Sequence, residues 1–118
     1  MKNGQYQSTG SSFTEGIGIM RLVENFSQAN INKAITLPDV DLIAIARHVR
    51  EYDGITLGSS AALNVAGALY AAAKMGQGKT IVTFWCDIAE RSSSKLYNEQ
   101  FLADKGFSSR SEAVVDMF

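Results

Sequence analysis

Apolar positions concentrate in one long stretch, Ile55 to Asp87 (ITLGSSAALNVAGALYAAAKMGQGKTIVTFWCD), and thin out toward both ends. The stretch reads as a short β-branched strand at Ile55–Leu57, a turn at Gly58, an apolar helix and a glycine turn from Gly76. A second strand, TIVTFWC, follows at Thr80–Cys86. Ala62, Leu63, Ala66, Leu69, Tyr70 and Ala73 recur through the helix with small residues between them, so it can lie close against a sheet. TIVTFWC is β-branched and aromatic without polar alternation, which suits a central parallel strand buried on both faces. A strand–helix–strand unit of this kind needs sheet neighbours and covering helices. The rest of the chain is too short to supply many, so the pattern predicts part of a larger layered α/β body.

Upstream, Pro38 and Asp39 open a helix, with Asp39 expected as its N-cap and Asp41 in the favourable first turn. Leu42, Ile45, Ala46 and Val49 form one apolar stripe. Arg47, Arg50 and Glu51 are expected to face water, and Gly54 to stop the helix. Arg21–Asn32 reads as short helical or irregular structure and Lys33–Leu37 as a short strand. Downstream, Asn98–Lys105 has the length and composition of a short helix that Gly106 stops. Ser59 or Ser60 is expected to cap the long apolar helix. Residues 1–12 are polar and glycine-rich, and 108–118 form a tail with a weak helical pattern.

Composition narrows the function classes. The 118 residues suit one domain with a modest core, and 46% hydrophobic with 19% charged residues is a globular composition. Eleven basic against twelve acidic residues give a net charge of −1, so no basic field exists to hold a nucleic acid. The single cysteine, Cys86, excludes an internal disulfide framework and suits a reducing compartment. Residues 1–7 lack the pattern of a secretory signal or transit peptide. Ala61–Met75 is too short and too interrupted to span a bilayer, so the chain is expected to be soluble. His48, the one histidine, has no cysteine or second histidine at ligand spacing and reads as a helix-surface residue.

Candidate chemistry is sparse. GQGKT at Gly76–Thr80 suggests a phosphate loop, but it follows a helix and opens a strand, the reverse of the required order, and Ala73 stands where the first glycine belongs. GSS at Gly58–Ser60 has the right strand-to-helix order for an anion at a helix N-terminus, although a serine-capped turn accounts for it as well. The Ile88–Ser94 loop lies at the C-terminal end of the apolar run, where open α/β sheets place ligands. Its Glu90, Arg91 and Ser92–Ser94 cluster has no histidine or lysine close in sequence to activate a serine, and Asp87 with Glu90 is a weak acid/base pair. Gly16 and Gly18, bracketing Ile17, permit close approach of a ligand or strand, or form a plain turn.

Four segments, TEGIG (Thr14–Gly18), GSSAALNVAGA (Gly58–Ala68), KTIVTFWCD (Lys79–Asp87) and SKLYNEQFLADKGF (Ser94–Phe107), occur in an order and spacing that resembles the C-terminal part of the pyridoxal 5′-phosphate (PLP)-dependent cysteine synthases and cystathionine β-synthases. The similarity is close to fungal cysteine synthase-like proteins. It implies an α/β fold: a partial three-layer αβα parallel sheet from the C-terminal part of a fold-type II enzyme, of the tryptophan synthase β-like kind. Residues 13–107 would belong to its large domain. The implied parent reaction replaces the β-substituent of an activated serine with sulfide on PLP.

The resemblance places Gly16, Ile17 and Gly18 against cofactor and substrate. Ile88 stands where the family has a serine that bonds the pyridine nitrogen, a bond isoleucine cannot make. Ala89 and Ser92 also depart from the family's glycine and tyrosine. None of the lysines aligns with the family's Schiff-base lysine, and its glycine-rich phosphate cradle lies upstream of TEGIG. The resemblance therefore implies no catalytic residue, no metal, and no bound PLP for this chain alone. It implies an amino-acid substrate for the parent, a homo-oligomer, and a cytoplasmic or mitochondrial location with any targeting segment on a missing N-terminal part. The alternative is a non-catalytic module that pairs through exposed sheet and apolar faces.

Overall fold

The computed structural model describes residues 21–88 and 95–107. The Gly16–Gly18 bend, the polar segment 1–12, the Glu90–Ser94 cluster and the tail from 108 lie outside them. Four helices are present among the described residues: α1 (Glu24–Ser27), α2 (Asp39–Asp53), α3 (Ser59–Met75) and α4 (Glu99–Asp104).

The helix boundaries follow local chemistry. Pro38, extended at φ −73° and ψ 153°, occupies the N-cap position of α2 and places Asp39 and Asp41 in its first turn. Asp39 was expected to be the cap itself. Proline has a fixed φ suited to a helix entrance, and the acids one and three residues on sit where the positive end of the dipole favours them. Gly54 ends α2 in the left-handed region at φ 69°, and the Ile55 amide turns back to the Val49 carbonyl at 3.5 Å. Gly76 closes α3 at φ 81°. Asn98 caps α4: its side chain accepts the Phe101 amide at 3.1 Å.

Helix α2 is the centre of the core. Leu42, Ile43, Ala44, Ile45 and Ala46 are all buried, a wider face than the single stripe that the spacing predicts. The reason is that α2 lies between two clusters. Leu42, Ile43 and Ala46 join Leu57, Ala61, Ala62, Leu96 and Leu102 on one side. Ala44 and Ile45 join Ala66 on the other, with Leu37, Val49, Val65 and Leu69 packed around them. The alanines of α3 let the two helices pack closely, as small residues on its faces require. Ile35 and Leu37 lie over Gly67, with methyl groups 3.8–4.0 Å from where its Cβ would be. Arg47, expected in water, has a side chain only 15% exposed, which reaches Glu99 of α4 at 3.9 Å.

No strand forms among the described residues. The expected strands at Lys33–Leu37, Ile55–Leu57 and Thr80–Cys86 are irregular, and an isolated antiparallel bridge joins Leu57 to Ile88. The expected burial of TIVTFWC is reversed. Val82 is 86% exposed, Phe84 77% and Trp85 56%. A strand exists only through its neighbours, and among the described residues this run has α3 on one side and no second strand to pair with. The partial parallel sheet is therefore not present in the described residues.

Because α2 joins the two clusters, Leu42→Ala should destabilise the chain by about 2–5 kcal/mol, and Val40→Ala on the exposed side by under about 0.5 kcal/mol. Urea unfolding followed by circular dichroism distinguishes them. Equal effects would contradict a core centred on α2.

Candidate functional site

The apolar run after α3 doubles back along that helix. The Asn64 amide donates to the Phe84 carbonyl at 3.0 Å and contacts Cys86 Sγ at 3.3 Å, while Thr83 Oγ1 donates to the Asn64 carbonyl at 3.4 Å. The run reaches the N-terminus of α3 at Asp87. There the Gly58 amide donates to the Asp87 carbonyl at 3.3 Å, and Ser60 Oγ donates to Asp87 Oδ1 at 3.3 Å. Trp85 Nε1 also donates to the Asp87 carbonyl, at 2.7 Å. The Asp87 carboxylate fills the space where a Gly58 Cβ would stand, so any side chain at 58 would overlap it. A carboxylate at this end of α3 is favoured by the helix dipole, by about 0.3–1 kcal/mol.

This arrangement corrects the reading of GSS. Gly58 is the N-cap, and no side chain caps α3. Ser59 is buried instead, and Ser60 serves Asp87. The anion at the helix N-terminus is the chain's own Asp87, supplied from 29 positions beyond Gly58 in sequence. Ile88, the residue singled out beside it, is 52% exposed and carries the bridge to Leu57. The sequence therefore located the right end of α3 but not the residue that occupies it. Gly58 before a Ser-Ser pair and an aspartate closing an apolar run were both visible; nothing in their spacing showed that they meet.

Tyr97 supports the same end from the far side. Its hydroxyl donates to the Leu57 carbonyl at 2.8 Å, and the Arg50 guanidinium lies 5.0 Å over its ring. Burial raises the Tyr97 phenol above its ordinary value of 10.0, with the Leu57 hydrogen bond and then the Arg50 and Arg47 charges opposing the rise. In the sequence Tyr97 stands within the family-matching segment Ser94–Phe107 but carries no assigned role, since nothing local marks its contact with Leu57.

Among the described residues no group of three or more histidine, cysteine or acidic side chains could hold a metal, and no helix is long and apolar enough to cross a membrane. His48 stacks at 4.5 Å on Tyr52, one helical turn away.

No protein-family model matches the sequence. Curated relatives do. A cysteine synthase of Dictyostelium discoideum is 42% identical over 96 residues, 81% of this chain and 25% of the relative. Cysteine synthase 2 of Schizosaccharomyces pombe is 43% identical over 96 residues, 80% of this chain and 24% of the relative. Cysteine synthase 1 of Neurospora crassa is 36% identical over 101 residues, 84% of this chain and 27% of the relative. Over this stretch the chain belongs to the cysteine synthase family. It spans about a quarter of the length of these cysteine synthases.

Two outcomes test the geometry. Gly58→Ala should expel the Asp87 carboxylate and cost about 1–2 kcal/mol, while adding Asp87→Ala to it should cost little more. Additive effects in a double-mutant cycle would show that the two positions do not share the space. Tyr97 gives a pH signature. With its folded phenol raised, its contribution to stability is fully present below the unfolded value near 10.0 and is lost as pH rises through the folded value. Denaturation of Tyr97→Phe should lose that alkaline component and about 1 kcal/mol of stability at neutral pH.

Proposed function

We propose that this chain is a C-terminal segment of a PLP-dependent cysteine synthase-like enzyme, without chemistry of its own. In the parent enzyme the reaction would replace the β-substituent of an O-activated serine with sulfide to give cysteine. Residues 13–107 would form part of the large domain of a fold-type II enzyme, in a cytoplasmic or mitochondrial setting, and the parent would be a homo-oligomer. The observation that carries this reading is the 42% identity across 81% of the chain but only 25% of the relative.

The described residues do not fit PLP. Ile88 has no hydrogen-bonding side-chain atom to offer the pyridine nitrogen. The N-terminus of α3, a place where a phosphate would be welcome, already holds Asp87. Gly16, Ile17 and Gly18, the expected wall of the site, lie outside the described residues and remain part of the proposal. So does the absence of a lysine aligned with the family's Schiff-base lysine. No catalytic step is assigned to any residue here.

A second reading, a non-catalytic interaction module, is favoured by a specific observation: the family-matching run KTIVTFWCD presents Val82, Phe84 and Trp85 to solvent. Large apolar side chains exposed side by side mark a surface meant to be covered.

Titration with PLP tests the first reading. The absorbance of the free cofactor should persist unchanged, and gel filtration should separate it from the protein. A Schiff-base band that travels with the chain and vanishes on substitution of one of its lysines would defeat the claim. Ile88→Ser should not create binding by itself, since the phosphate still has no cradle.

A further inference from the structure

We draw no further inference here: the strongest candidate, the exposed apolar face that Val82, Phe84 and Trp85 form on the run after α3, carries none because nothing in the structure shows what covers it.

Discussion

The contact between Gly58 and the Asp87 carboxylate decides how the second half of this chain lies. A helix N-terminus exposes amides with no internal partners and a partial positive charge. In α3 that end is answered by an acid arriving from the far end of the apolar run, and only glycine leaves room for it. Once Asp87 is seated, the residues before it must trace back along α3, and Asn64 meets them one helical turn further on. The bridge between Leu57 and Ile88 and the Tyr97 hydrogen bond to Leu57 then tie the α4 region to the same point. Remove the seat, and among the described residues the run keeps its side-chain hydrogen bonds with Asn64 of α3.

The core explains what this seat has to support. Burial is concentrated where α2 and α3 face one another and where Leu96 and Leu102 close over them. That is enough to order two long helices, yet it leaves the most apolar segment of the sequence outside. Hydrophobicity alone does not place a segment in a core; it must find a surface of matching shape and backbone partners at the same time. Alanine-rich α3 offers shape, but a helix has no free backbone groups along its side to pair with a strand. The run therefore gains a few side-chain hydrogen bonds from Asn64 and Ser60, and its large residues stay wet.

Legibility in the sequence followed the range of the forces involved. The three longer helices were readable because their signals are local: Pro38 and Gly54 around α2, Gly58 and Gly76 around α3, Asn98 and Gly106 around α4. The apolar stripe of α2 was readable too, though its true width depends on a second cluster formed by Ala66 and Leu37. Strands were not readable in the same way. Val, Ile, Phe and Trp in sequence state a preference for a pleated surface, and the surface has to be provided by other residues. The site was half legible for the same reason: GSS marked a helix start, but its partner Asp87 is a long-range contact, and so is the hydrogen bond from Tyr97 to Leu57.

The family match and the exposed run have a common physical cause. In a layered α/β protein a β-branched, aromatic strand without polar alternation has one role, a central one, with a strand on each edge and helices above and below. Here the same residues meet one helix. A segment tuned for burial on both faces keeps that tuning when its surroundings change, so its large side chains stay exposed where no strand pairs with it among the described residues. Val82 and Phe84 would be costly to keep in water if solubility were the only requirement, and no charge interrupts the six residues from Ile81 to Cys86 to discourage pairing. The apolar run stays anchored at Asp87 and Asn64 with Val82, Phe84 and Trp85 in water, because one helix offers neither the second face nor the paired backbone that its residues suit.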